Sequence, residues 1–291
     1  MGLMEAFVIF VVSNSKIIIQ QQMTLIKSIS GIRGTIGGTS GEALTPDDLV
    51  RFTAAFATFL KKRKPSATLH IVLGRDARVS GPMVSRIVSG TLEAMGVNVT
   101  DIGLTTTPTA EVAVTHLKAD GGIILTASHN PAQWNALKLL NEKGEFISAE
   151  DGAELLATAQ NADYQYAPYN EIVHIGYDDS LIDKHIEMVL NLPLVNVEAI
   201  RKAGFSVAVD AVNSTGGIAI PKLLKALGVE MIHELHCEPT GLFAHNPEPL
   251  PENLVEISNT VVKTKADLGI VVDPDVDRLA LVCEDGKMFG E

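Results

Sequence analysis

Hydrophobic and polar positions along this 291-residue chain switch between two periods, and the switching predicts strands and helices in turn. Thr45-Pro46-Asp47-Asp48 supplies a capping side chain, a first-turn proline and early acids, so a helix opens there. Leu49, Phe52, Phe56 and Phe59 with Leu60 then recur at helical spacing. The apolar run 69–73 reads as a strand, 80–95 as a helix, and 97–99 as the start of another strand. A helix over 108–117, a buried strand over 122–125 and a short strand over 135–140 follow, then a helix over 149–160. This alternation builds βαβ units, in which a mainly parallel sheet carries helices on both faces.

A second unit follows the same plan without a residue-level repeat. The stretch 161–169 contains Tyr164, Tyr166, Pro168 and Tyr169, has little periodicity, and reads as a linker. The predicted division is therefore 23–162 and 163–291. An amphipathic helix over 180–190 enters the second unit. Strands at 205–210, 229–233 and 268–272 alternate there with helices at 215–227 and 253–265. Pro221 is expected to kink the 215–227 helix or to mark its true start. The fold class is α/β: two successive α/β domains with mixed, mainly parallel sheets flanked by helices.

Composition narrows the partners. With 46% hydrophobic and 20% charged residues, both units can bury a core and wholesale disorder is excluded. A net charge of −12 argues against a nucleic acid or an anionic membrane as partner. Anionic sugar phosphates still fit, provided the few cations converge. The apolar run 7–12 is too short to span a bilayer, and no basic residue precedes it as in a signal peptide. Cys237 and Cys283 give neither a disulfide framework nor a zinc spacing, so the expected setting is reduced and cytoplasmic.

Two loops carry the candidate chemistry. After the strand at 122–125 comes Thr126-Ala127-Ser128-His129-Asn130-Pro131, where Pro131 removes a donor and stops the strand. Ser128 thus sits at the carboxyl end of a strand, where open α/β sheets place their ligands. Serine needs an activating group, and His129 and Lys138 are the neighbouring candidates. Read alone, the loop is more often a polar turn with a capping serine.

The second loop, Asp273-Pro274-Asp275-Val276-Asp277-Arg278, follows the strand at 268–272. Three carboxylates this close repel one another unless a cation lies among them, and hard oxygen ligands with open positions suit magnesium. A calcium-binding EF-hand loop fits less well. Glu284 falls at its last ligand position, but Arg278 replaces the turn glycine and 279–282 reads as a strand. A haloacid-dehalogenase-type phosphatase motif would require threonine or valine where Asp277 stands. Arg33 lies in a glycine-rich turn that permits close approach to a ligand. Arg278 has the fork geometry for a phosphoryl oxygen. Arg75, Asp76 and Arg78 read as residues that hold loops together through ion pairs.

Four stretches in order carry a resemblance: Ser30-Gly31-Ile32-Arg33-Gly34, Gly74-Arg75-Asp76-Ala77-Arg78-Val79-Ser80-Gly81, the Ser128 loop and the aspartate loop. Together they resemble the α-D-phosphohexomutases, the family of phosphoglucomutase, phosphomannomutase and phosphoglucosamine mutase, from about Met23 onward. The resemblance implies the first two of four domains, with 1–22 a non-functional extension before Met23 and domains III and IV absent. It implies that Ser128 carries a phosphoryl group and that Mg2+ is held by Ser128, Asp273, Asp275 and Asp277. Lys138 and His129 would assist proton transfer, Arg33 would act catalytically beside the phosphoserine, and Arg33, Asn130 and Arg278 would bind substrate phosphate. The implied reaction moves a phosphoryl group between O1 and O6 of a hexose phosphate through a hexose 1,6-bisphosphate. Phosphoglucosamine mutase is favoured by the Ser-Gly-Ile-Arg-Gly-Thr start; phosphomannomutase or phosphoglucomutase is the alternative, as is a non-catalytic sugar-phosphate-binding fragment. Where the family's aspartate loop usually has glycines, this chain has Pro274 and Val276, which stiffens it.

Overall fold

Two mixed sheets lie between layers of helices in the computed structural model, which describes residues 23–28, 31–65 and 68–290. The expected extension 1–22, Ser30 and Glu291 lie outside the described residues. The first sheet contains β1 (Ile26–Ser28), β2 (Gly31–Thr35), β3 (His70–Arg75), β4 (Asn98–Leu104), β5 (Gly121–Leu125), β6 (Trp134–Leu140) and β7 (Ile175–Tyr177). Its order is β1-β2-β6-β5-β3-β4-β7. Strands β5, β3, β4 and β7 are mutually parallel, and β6, β2 and β1 extend the sheet with antiparallel pairs. One face is covered by α1 (Pro46–Arg63), α2 (Gly81–Ala94) and α4 (Ala149–Asn161), around Phe52, Phe56, Leu92 and Ile123. The other is covered by α3 (Thr107–His116) and the start of α5 (Leu181–Leu190), around Val72, Val114, Ile124 and Leu181. The start of α1 follows its sequence: Thr45 and Asp48 form a reciprocal capping box, with Pro46 in the first turn.

The second sheet contains β8 (Ser206–Asp210), β9 (Met231–Leu235), β10 (Leu268–Val272), β11 (Leu279–Cys283) and β12 (Met288–Gly290), in the order β12-β11-β10-β8-β9. Here α6 (Val197–Ala203) and α7 (Gly216–Leu227) pack around Val207, Val209 and Leu224, while α8 (Val255–Thr264) packs around Ala208, Ile257 and Val271. Strands β8 and β10 are parallel neighbours, with Asp210 opposite Val271. Each therefore delivers its following loop to the same edge of the sheet.

Two expectations change. The boundary at 162/163 falls inside the first unit, because β7 pairs in parallel with β4, Val99 opposite Ile175. That pairing covers an otherwise open sheet edge. The 215–227 helix starts at Gly216, not at Pro221, which lies inside it and is buried. A proline there leaves one carbonyl of the first turns without its helical partner, which this apolar, tightly packed helix tolerates.

Arg78 joins the sheet to the serine loop. Its side chain is fully buried, and Nε donates to Asp76 Oδ2 at 3.0 Å. The two terminal nitrogens donate to the carbonyls of Ser128, Asn130, Pro131 and Trp134, at 2.5–3.1 Å. Asp76 in turn accepts from Thr126 Oγ1 at 2.7 Å. The loop has few backbone bonds of its own, so one guanidinium supplies the donors that a sheet partner would otherwise provide. Replacing it removes the counter-charge of a buried carboxylate and one donor from each of four carbonyls. Arg78→Met is expected to lower stability by about 3–5 kcal/mol in urea unfolding monitored by circular dichroism. A loss below about 1 kcal/mol would show that the loop holds itself.

Candidate active site

Three neighbouring strands bring the first half of the site together. β5 ends at Leu125 and feeds the serine loop; β6 places Lys138 opposite Ile124; β2 places Arg33 opposite Ala136. Gly31, at the start of β2, has φ +120° and lies so close to β6 that a Cβ would collide with the Leu137 carbonyl oxygen. The sequence Gly-Ile-Arg thus lets β2 press against the strand that carries Lys138. Ser128 itself adopts φ +49°, a left-handed conformation unusual for serine. Its amide is held by Thr126 Oγ1 at 3.0 Å.

The second half comes from the loop after β10. Ser128 Oγ donates to Asp273 Oδ2 at 2.7 Å and lies 3.2 Å from Asp277 Oδ1. Lys138 Nζ donates to Asp275 Oδ2 and Asp277 Oδ2, both at 2.7 Å. Asp273 and Asp275 are fully buried, and Asp277 is partly open to solvent. Carboxylate oxygens of the three lie within 4.8 Å of one another. Thr107, at the start of α3, grips the loop from the first unit: its amide donates to the Asp275 carbonyl at 2.8 Å and its hydroxyl to Asp275 Oδ2 at 2.5 Å. From the second unit, Ser214 and Thr215 both donate to the Pro274 carbonyl, at 2.6 and 2.9 Å. Val276 completes the turn at φ +62°. A β-branched residue there is strained by on the order of 1–3 kcal/mol, which the surrounding contacts must offset.

Electrostatics divides the carboxylates. Burial, with the charges of Asp275 and Asp277, pushes Asp273 up to about 8. Burial acts in the same direction on Asp275, but the Lys138 charge and the hydrogen bonds from Lys138 and Thr107 outweigh it and hold that carboxyl below its usual range. For Lys138, burial opposes the charge, yet Asp275 and Asp277 together keep the ammonium above the ordinary lysine range. Asp275 Oδ1 is buried without a hydrogen-bond partner. An unmatched buried oxygen beside a protonation-prone carboxylate is what a cation would correct. The donors are all oxygen, so the residues fit a hard divalent ion.

The cleft over this centre has a volume of about 210 Å³ and is lined by Arg33, Ser128, His129, Asn130, Lys138 and Arg278, among others. Arg33 Nη1 donates to Asn130 Oδ1 at 3.5 Å, and Arg33 Nε is buried without a partner. His129 Nδ1 lies 3.3 Å from Ser128 Oγ. Burial, then the positive charge of Arg278, holds its imidazole below the usual histidine range. Arg278 lies 3.8 Å from Glu248. All nine residues selected from the sequence therefore meet at one junction between the two units. Sequence reasoning missed Thr107, Ser214, Thr215 and Glu248. The Thr105-Thr106-Thr107-Pro108 run signalled a helix start but gave no hint that it grips a loop 168 residues away.

The chain is similar to known proteins along most of its length. Residues 25–166 match the family description "Phosphoglucomutase/phosphomannomutase, alpha/beta/alpha domain I", and residues 183–286 match domain II of the same family. A phosphoglucomutase/phosphomannomutase of Thermococcus kodakarensis is 37% identical over 88% of this chain and 56% of its own length. A phosphoglucosamine/phosphogalactosamine mutase of Sulfurisphaera tokodaii is 32% identical over 89% of this chain and 54% of its own. The crystal structure of a phosphoglucomutase/phosphomannomutase family protein from Burkholderia thailandensis superposes with a TM-score of 0.74 at 28% identity, over 92% of this chain and 56% of that one. The chain spans about half the length of the curated relatives it matches. With both domain descriptions matched in order and the serine and aspartate loops meeting between them, the chain belongs to the α-D-phosphohexomutase family, of which it carries the two N-terminal domains.

Proposed function

We propose that this chain carries the phosphoryl-transfer centre of a phosphohexose mutase, with Ser128 as the residue that bears the phosphoryl group. The observation that carries this reading is the 2.7 Å approach of Ser128 Oγ to Asp273, inside a ring of three carboxylates balanced by Lys138. In the proposed reaction the bond from phosphorus to Ser128 Oγ breaks as a bond to a sugar hydroxyl oxygen forms. The resulting hexose 1,6-bisphosphate returns its other phosphoryl group to Ser128. Asp273, Asp275 and Asp277, with an oxygen of phospho-Ser128, would hold Mg2+, which supplies charge neutralisation for the transferring group.

The chain's own groups supply the rest. The sugar hydroxyl's proton must finish on Ser128 Oγ, and His129 stands 3.3 Å from that oxygen. Kept neutral near pH 7, its imidazole can accept or return that proton. Lys138, kept cationic, offsets phosphoryl charge and assists proton transfer only once its carboxylate partners release it. Arg33, Asn130 and Arg278 lie around the cleft mouth and would orient phosphate oxygens. A cleft of about 210 Å³ holds the reacting end of a sugar phosphate, small beside the roughly 300–1,000 Å³ of a typical ligand site. Sugar choice and grip on the distal phosphate are assigned to the part of the longer relatives that this chain does not cover. Hexosamine phosphate is the favoured sugar, supported by the Sulfurisphaera relative; the Thermococcus relative supports glucose or mannose phosphate as the second reading. The free thiols Cys237 and Cys283 fit a reducing, cytoplasmic setting. Among the described residues no helix is long and apolar enough to cross a membrane.

The deciding experiment is a coupled mutase assay with glucosamine, mannose and glucose 6-phosphates, primed with hexose 1,6-bisphosphate and Mg2+. It is run on this chain alone and on this chain joined to the part of the Sulfurisphaera relative that it does not cover. The joined protein is expected to turn over glucosamine phosphate fastest and this chain alone not to turn over, since positioning accounts for many kcal/mol of such barriers. Failure of the folded joined protein on all three sugars would refute the reading. In the same assay Asp275→Asn should cut the rate on the order of 10²–10³-fold with the circular dichroism spectrum unchanged. Near-normal turnover would reduce the aspartate loop to an acidic turn. An NMR titration of the His129 ring should place its midpoint below the roughly 6.5 of free imidazole, and Arg278→Met should move it upward. A midpoint at or above 6.5 in the parent chain contradicts a neutral His129.

A further inference from the structure

A second group of ligating side chains lies outside the phosphoryl centre. Asp210 ends β8, His236 follows β9, and His245 lies in the segment beyond it. Both histidines approach the same atom: His236 Nδ1 and His245 Nε2 are each 3.2 Å from Asp210 Oδ2. The outer nitrogen of each ring is already engaged. His245 Nδ1 lies 2.8 Å from the Asn246 carbonyl, which only accepts, so this nitrogen carries the proton. His236 Nε2 lies 3.5 Å from Glu256 Oε2, an ion-pair separation. In a neutral His245 the inner nitrogen then presents a lone pair to the carboxylate oxygen. Two acceptors thus face each other, with the His236 ring on the same oxygen, and a proton on His245 or a metal ion joins them.

The geometry points to a metal. Histidines whose outer nitrogen bonds a carbonyl or carboxylate are the usual pattern for metal ligands, because the outer bond orients the ring and fixes its tautomer. Zinc–nitrogen bonds of about 2.0–2.1 Å put tetrahedral ligand atoms about 3.3–3.4 Å apart. The two edges measured here are 3.2 Å. Asp210 Oδ1 is separately held by the Val212 amide at 3.0 Å, leaving Oδ2 for the ion. The Asp210 side chain is 1% exposed and those of His236 and His245 are 20% and 17%, so the cluster is built into the fold but open on one side. Two imidazoles and one carboxylate suit zinc and its neighbours, not the magnesium preferred by the all-oxygen loop.

We propose that Asp210, His236 and His245 bind a zinc-class transition-metal ion that braces residues 236–250 against β8. That segment spans the two units. The Gly241 amide donates to the Asn213 carbonyl, and a Cβ on Gly241 would collide with the carbonyl of Ala77. Phe243 packs 5.1 Å from the Arg78 guanidinium, and Glu248 reaches Arg278. A metal at Asp210 therefore stiffens the support of both arginines.

The test strips the chain with chelator, adds Zn2+ in the presence of excess Mg2+, desalts, and measures bound zinc and the unfolding temperature. One zinc per chain is expected for the parent and for Asp275→Asn. It should be lost in His236→Gln and in His245→Gln, along with the zinc-induced rise in unfolding temperature. Nitrogen NMR of the parent should show the His245 Nε2 and His236 Nδ1 signals shifting on zinc addition, which needs no variant to fold. A parent that retains no zinc under excess magnesium, its two histidines carrying protons instead, overturns the proposal. So do histidine variants that retain as much zinc as the parent, or inner-nitrogen signals that zinc leaves unmoved.

Discussion

Everything at the junction depends on holding carboxylate oxygens of three aspartates within 4.8 Å of one another, two of the three shut off from water. Their repulsion is met by contacts from both units: Lys138, Thr107 and Ser128 from the first, and the Arg278 amide and the Ser214–Thr215 hydroxyls from the second. None of these groups is useful alone. Lys138 without Asp275 and Asp277 would be a charge buried at a cost, and Asp275 without Lys138 and Thr107 would protonate. The interface between the two units is therefore also the candidate catalytic centre, so domain docking and site assembly are one event.

The serine loop solves a different problem. It must leave the sheet with few backbone partners while keeping Ser128 at φ +49° beside the carboxylates. Arg78 provides the four donors that make this possible, with Asp76 fixing the guanidinium. The aspartate loop carries its own strain at Val276, and the carbonyl just before that turn is clamped by two hydroxyls. Both loops are thus over-determined by neighbours, as strained functional turns must be.

Much of this was legible in the sequence because it depends on local pattern. The Thr45 cap, the apolar runs of β3, β5, β8 and β10, and the two polar loops at strand ends all declare themselves within a few residues. What was hidden depends on distant partners. β7 has three residues and is a strand only because β4 offers an edge. Thr107 reads as a helix-start threonine and becomes a loop clamp only when the second unit docks. Pro221 contradicted a helix by local rules, and the apolar packing of α7 overrode them. Val276 was legible as a departure from glycine, but its left-handed backbone needed coordinates.

The central claim is that Ser128 is the atom-bearing residue of phosphoryl transfer, and its covalent state tests that most directly. This chain, joined to the part of the Sulfurisphaera relative that it does not cover, is incubated with Mg2+ and a hexose 1,6-bisphosphate, and the phosphate is located by peptide mass spectrometry. The account predicts one phosphoryl group per chain on Ser128, none in Ser128→Ala, and none when magnesium is withheld. Phosphate mapping reproducibly to another residue, or no transfer to a folded chain, would contradict it.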